Sequence, residues 1–188
     1  MAVGPDWLSG YRRVSNAGPR LVILRGNSGS GKSCVASDLQ AANRGRVARI
    51  GQDAIRRDLL KADDAPGTLA VDLIDDTARW CLARGLDVVV EGILNAGIYG
   101  DMLRRLVAEH QGYAAAYYLD IPFEETLRRH LTKPNRNDFG ESEMREWYRP
   151  RDLVDGLDES VIDATSSRLQ TGVTIALAAG WKSPRRQS

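Results

Sequence analysis

The stretch LVILRGNSGSGKSC, residues 21–34, governs how the rest of this chain is read. An apolar run, Leu21 to Leu24, gives way to three glycines within six positions, Gly26, Gly29 and Gly31, followed by Lys32 and Ser33. A short apolar run, then closely spaced glycines, then a helical pattern describes a strand, a tight loop and a helix entry. Glycines allow successive backbone N–H groups to turn inward, and the next helix adds the positive end of its dipole. The segment is suited to hold an anion.

Gly26-Asn27-Ser28-Gly29-Ser30-Gly31-Lys32-Ser33 matches the phosphate-binding pattern GxxxxGK[ST], the P-loop, at every specified position. Lys32 supplies a flexible point charge for the outer phosphates, and Ser33 offers a hydroxyl to Mg²⁺. The expected cofactors are therefore ATP and Mg²⁺, with Gly26 through Cys34 as the nucleotide-binding stretch and Ser33 as the metal contact. The helical pattern makes Cys34 the first core-facing residue of the following helix.

Working outward, short apolar runs alternate with helical patterns, the signature of a parallel sheet with crossover helices. Strands are expected at 20–25, 46–51, 87–91, 113–120 and 159–163, and helices from the glycine segment to about Asn43, from near Asp53, and over 68–84, 97–110, 122–132 and 166–180. The 68–84 helix carries Leu69, Leu73, Ile74, Ala78 and Cys81 at spacings of a core stripe. The fold class is α/β, a P-loop NTPase fold of about five parallel strands with helices on both faces. Residues 1–19 read as an irregular lead-in, 20–182 as the domain and 183–188 as a tail. The polar interval 133–156, with Pro134 and Pro150, is too long for an ordinary connection and reads as part of a functional lid over about 128–156.

Composition sets further bounds. The chain has 188 residues, 43% hydrophobic and 27% charged, an ordinary balance for one domain. Its 26 basic and 25 acidic side chains leave a net charge of +1, so no global field favours a long nucleic acid or an anionic membrane. The two cysteines show no metal-ligand spacing. No apolar run reaches membrane-spanning length, and the start, MAVGPDWLSGYRR, lacks a signal-peptide layout. A soluble cytoplasmic protein without a membrane partner is the expectation.

A P-loop alone does not separate a kinase from a GTPase or a motor ATPase. The chain has no guanine-reading NKxD, and its DxxG, Asp64 to Gly67, follows charged residues rather than a strand. The nearest Walker-B candidate, VVVEG, ends in Glu91 instead of Asp. These features favour a small phosphotransferase. Asp53, just after ARIGQ, is expected at the C-terminal end of the second strand, where open α/β sheets hold ligands. Its carboxylate could accept a proton from an attacking hydroxyl or hold the Mg²⁺ shell, while Arg56 and Arg57 could grip an anionic group. Capping the helix AIRRDLLKA suits Asp53 equally well. Glu91 ends the third strand on the same edge, where a capping role is again an alternative.

Strand–GxxxxGK[ST]–helix–strand–Asp-x-x-Arg, followed by a basic insertion, resembles the small P-loop kinases around polynucleotide 5′-kinase, the zeta toxins, chloramphenicol phosphotransferase and gluconate kinase. The resemblance spans about residues 20–180, and GNSGSGKS with DAIR (Asp53 to Arg56) is its specific part. It implies that Asp53 is the general base, that Arg56 and Glu91 contact substrate, and that lid cations join Lys32 in catalysis. Lid arginines in such kinases come four apart; here Arg129 and Lys133 hold that register, and Lys lacks the planar clamp of Arg. Arg128, Arg136, Arg149 and Arg151 are the other candidates for the second charge. IDATSS, 162–167, resembles the segment bordering adenine, and Trp147 and Tyr148 either stack on a ring or anchor the lid.

The expectation is an ATP-dependent kinase that phosphorylates a hydroxyl of a small molecule, such as a metabolite, nucleoside or antibiotic. Alternatives are a polynucleotide 5′-hydroxyl kinase, with nucleic acid as second-choice partner, a zeta-like toxin kinase, and an ATP-binding regulator without kinase activity.

Overall fold

A computed structural model describes residues 18–132 and 140–185. Lys133 and Arg136, both expected in the lid, lie outside the described residues, as do most of the lead-in and the end of the tail.

Five strands, β1 (Leu21–Gly26), β2 (Val47–Gly51), β3 (Asp87–Gly92), β4 (Ala114–Asp120) and β5 (Glu159–Asp163), form one sheet in the order β2-β3-β1-β4-β5. Every pairing is parallel. β1 lies at the centre and all six of its residues are buried, which is why LVIL is continuous rather than alternating. Alternation still decides which face each residue serves. Leu21 and Ile23 join Val88 and Val90 beneath α2 (Leu69–Ala83) and α3 (Ala96–Glu109), with Ile74, Ala78 and Met102. Val22 and Leu24 join Val89 beneath α1 (Lys32–Ala42) and α6 (Arg168–Ala178), with Val35, Leu39 and Ile175. Two hydrophobic layers therefore sandwich the sheet, as the sequence pattern required.

Two short helices complete the fold. α4 (Phe123–His130) follows β4 and α5 (Glu141–Trp147) lies in the interval read as a lid. The helix expected from Asp53 is instead a π-helical turn, Ala54–Leu59. It stops early because Lys61 adopts a positive φ of 53°. At α6, Ser167 and Gln170 make a reciprocal capping box, the cap expected at Ser166 or Ser167.

Two core assignments need correction. Cys34 is exposed, not the first core-facing residue of its helix. Val35, Ala36 and Leu39 carry the buried stripe of α1, so position 34 falls on the flank beside it. At the start of α2 the core position is Ala70 rather than Leu69, which is 68% exposed. Ala70, Ile74, Ala78 and Cys81 keep the helical spacing, and Leu69 lies one residue ahead of the stripe.

Among the described residues, no helix is long and apolar enough to cross a membrane.

Candidate active site

All five strands run the same way, so their C-terminal ends share one edge. The glycine loop leaves β1 there, Gln52 and Asp53 follow β2, Glu91 is the last residue but one of β3, Asp120 ends β4 and Asp163 ends β5. The fold thus collects most of the residues singled out in the sequence on one rim.

The loop is held tightly from behind. A Cβ on Gly26 would lie 2.7 Å from the carbonyl oxygen of Leu119, and one on Gly29 would lie 2.5 Å from that of Thr126. Gly29 also has a φ of +80°, a left-handed conformation that glycine adopts without a steric penalty. These two glycines are therefore required for the loop to seat against β4 and α4. Lys32 is buried and its Nζ donates to the carbonyl oxygen of Asn27 at 3.1 Å. Ser30 is also buried, and its Oγ finds no hydrogen-bond partner among the described residues. An unsatisfied buried hydroxyl is uncommon in a finished core and suits a loop that closes around a ligand.

Ser33 and Glu91 stand together: the Ser33 hydroxyl donates to Glu91 Oε2 at 2.8 Å. Glu91 is buried, and its other oxygen accepts from Arg49 Nε at 3.2 Å. Capping is thus not what occupies this carboxylate. Two hard oxygen donors beside a phosphate loop fit Mg²⁺, whose remaining ligands are characteristically phosphate oxygens and water. Sequence reasoning named Ser33 and Glu91 but not Arg49, which carries no motif.

Arg129 reaches the same loop. Its Nη1 donates to the Ser30 carbonyl oxygen at 2.9 Å and its Nε to Glu125 at 2.7 Å. Arg128 is 70% exposed and also pairs with Glu125. Hydrogen bonds from Arg128 first and Arg129 second pull the Glu125 carboxyl down to about 2, so the pairs persist across the physiological range. Arg129 also walls a cavity of about 30 Å³ with Ser30, Ile162, Asp163, Ser166 and Thr171, which includes part of the segment expected to border adenine. Arg151 comes only within 3.9 Å of Asp120.

The β2 side is more open. Asp53 is 73% exposed and makes no capping hydrogen bond to its helix. It pairs instead with Arg57 Nε at 3.2 Å and, more loosely, with Arg56 Nη2 at 3.5 Å. Arg56 is largely buried and donates to the Ala62 carbonyl oxygen at 3.0 Å. Behind Asp53, Gln52 donates to Asp64, and Tyr99 donates to the same carboxylate at 2.8 Å. Burial, then the hydrogen bond to Asp64, pushes the Tyr99 phenol far above its ordinary range, so it stays a donor. Gln52, Asp64 and Tyr99 carried no sequence signal as a set because they lie 12 and 35 residues apart at no helical or strand spacing.

Tyr148 anchors α5: its hydroxyl donates to the Ile121 carbonyl oxygen at 3.1 Å, and its ring meets Phe123 edge-on at 5.4 Å. Trp147 instead lies against the guanidinium of Arg57, 5.6 Å from its ring centre. Asn27, expected in the nucleotide-binding stretch, has its side chain engaged with the main chain of Arg149.

One buried cation ties this rim together. Arg25, immediately before the loop, is fully buried. Its Nη1 donates to both carboxylate oxygens of Glu159 at 2.9 Å, its Nη2 to Asp152 at 3.0 Å, and its Nε to the Leu94 carbonyl oxygen at 3.0 Å. Leu94 itself adopts a positive φ of 45°, held by Arg25 on its carbonyl and by Gln52 on its N–H.

Comparison with known proteins places this arrangement. No curated protein sequence matches the chain. Among solved structures, the Mycobacterium tuberculosis APS kinase in complex with AMPPNP and APS superposes with a TM-score of 0.65 at 18% identity, covering 86% of this chain and 97% of that one. The Deinococcus radiodurans tunicamycin resistance protein gives 0.63 at 15% identity, over 90% of this chain and 99% of that one. A gluconokinase from Sinorhizobium meliloti 1021 gives 0.55 at 19% identity, over 88% and 92%. At these identities the likeness establishes the shared fold, that of the P-loop kinases. A family model described as AAA domain matches residues 21–172, from the first residue of β1 into α6. The chain accordingly belongs to that AAA domain family, as a P-loop protein of kinase-like fold.

Proposed function

We propose that this protein is an ATP-dependent phosphotransferase that moves the γ-phosphate to a hydroxyl group of a small molecule. The observation that carries the proposal is Asp53. It is an exposed carboxylate on the rim that holds the P-loop, it makes no cap, and two arginines balance its charge. A base for an acceptor hydroxyl needs such an accessible carboxylate on the ligand edge. The solved structures of similar fold include an APS kinase and a gluconokinase, and these support the same reading.

In the proposed reaction the loop N–H groups and Lys32 hold the β- and γ-phosphates. Ser33 and Glu91 would hold Mg²⁺, which when bound offsets charge on the phosphate oxygens. Asp53 accepts the proton of the acceptor hydroxyl. The acceptor oxygen then forms a bond to the γ-phosphorus as the bond from that phosphorus to the β–γ bridging oxygen breaks, and ADP leaves. Arg129 lies against the loop carbonyl of Ser30, where its charge stabilises the developing negative charge of transfer. Arg56 and Arg57 flank Asp53 and would orient an acceptor with an anionic group.

The test is detection by mass spectrometry of a phosphorylated product across a panel of hydroxyl compounds, with Asp53→Asn as control. The expected result is an acceptor-dependent product that the variant loses. Strong ATP binding with no product from any class of acceptor, oligonucleotide 5′-hydroxyls included, would sink the proposal in favour of a nucleotide-binding regulator.

A further inference from the structure

Asn27 occupies an unspecified position of the P-loop pattern, so the motif gives its side chain no task. The structure gives it one. The side chain is buried and bonds to both main-chain groups of Arg149: the Arg149 N–H donates to Oδ1 at 2.9 Å, and Nδ2 donates to the Arg149 carbonyl oxygen at 2.8 Å. This is how one strand would bind another, reproduced by a side chain 122 residues away. The buried hydroxyl of Tyr118 reinforces the junction, donating to the Arg149 carbonyl oxygen and accepting from the Asp152 N–H, both at 3.2 Å. Arg25 then holds the Asp152 carboxylate.

The segment fixed in this way runs on to the acceptor side. Two residues before Arg149, Trp147 covers the guanidinium of Arg57, and Arg57 pairs with Asp53. On the other side of Asn27, its own carbonyl oxygen accepts from the Lys32 ammonium. A phosphate chain in the loop draws on that same ammonium, and a charge-assisted hydrogen bond is stronger than a neutral one. Occupancy of the loop would therefore draw the Lys32 ammonium away from the Asn27 carbonyl oxygen, which also accepts from the Ser30 N–H at 3.1 Å, while the Asn27 side chain grips Arg149.

We propose that Asn27 is a positioning residue that transmits nucleotide occupancy of the P-loop to the Trp147–Asp152 segment, and through Trp147 sets Arg57 beside Asp53. The inference rests on the phosphotransferase reading for its purpose, but the contact pathway can be tested without an acceptor.

The test is hydrogen exchange of the full chain, read at the Arg149 amide and across 147–152, with and without AMPPNP and Mg²⁺. Wild type, Asn27→Ala and Asn27→Asp are compared, each at an AMPPNP concentration that saturates it by calorimetry. In the wild type AMPPNP is expected to change exchange across this segment. In Asn27→Ala, exchange at Arg149 rises about tenfold without nucleotide, the effect of one lost hydrogen bond, and the response to AMPPNP disappears. Asn27→Asp keeps the acceptor for the Arg149 N–H and restores part of the protection there. A wild type that binds AMPPNP without any change at 147–152 overturns the proposal, whether or not the alanine variant folds. So does an undiminished response in AMPPNP-bound Asn27→Ala. Either result leaves the phosphotransferase reading standing, because that reading fails separately, by absence of product.

Discussion

The two halves of the rim are built differently. On the β1–β3 side, Asn27, Ser30, Lys32 and Glu91 are buried, and Arg25 behind them is fully enclosed. On the β2 side, Asp53 is mostly exposed on a π-helical turn of six residues that ends at a left-handed lysine. A phosphate chain is the same in every nucleotide, so its cradle can be preformed in the core. An acceptor differs from enzyme to enzyme, and in the proposed reading its side of the site would rest on a short turn where an exposed Asp53 pairs with Arg57 and, more loosely, Arg56. The contrast separates residues that hold fold and function together from those that serve function alone.

The largest expected effect tests the open side. Asp53→Asn should lower phosphate transfer by about 10²–10⁴-fold, the usual contribution of a positioned base, while calorimetry still detects ATP binding. Arg25→Ala should strike the closed side hardest. It leaves Glu159 and Asp152 without their buried cation and should cost about 3–5 kcal/mol of stability, read from urea unfolding. If that variant kept wild-type stability, the enclosed network would not be what holds this rim. Gly29→Ala should be smaller but still clear. Its Cβ would press on Thr126 in a left-handed conformation, which costs about 1–3 kcal/mol and should lower nucleotide affinity as well. Ser167→Ala removes the cap of α6 and should cost about 1 kcal/mol of stability, read from the same urea unfolding. Last, Asp53→Asn should change stability by less than about 0.5 kcal/mol, because its ion pairs are exposed. A large loss there would show that the acceptor side is structural after all, and the contrast would collapse.

Much of this molecule was legible in its residues. The five strands appear within a residue or so of where short apolar runs placed them, and five of the expected helices follow their 3.6-residue patterns. The P-loop was legible because its glycines, lysine and serine act through the local backbone. The exceptions share a cause. Cys34 and Leu69 sit at helix starts, where a stripe shifted by one residue looks equally periodic and only the packed neighbours choose. The turn after Asp53 looked helical because AIRRDLLKA has helical propensity, and a left-handed Lys61 overrode it. Arg49 and Tyr118 carried no motif, because each matters only through a partner brought near by folding.

Local chemistry, then, was enough to specify a strand–loop–helix phosphate cradle in an α/β domain and to nominate Lys32, Ser33 and Asp53. Such features need only neighbours along the chain: glycine's freedom, a helix end, a residue just past a strand. Folding alone decided that Glu91 meets Ser33, that Arg25 joins Asp152 and Glu159, and that Asn27 grips Arg149. Those pairs are separated by 58 to 134 residues, and only a sheet that aligns strand ends on one edge brings them within hydrogen-bonding distance.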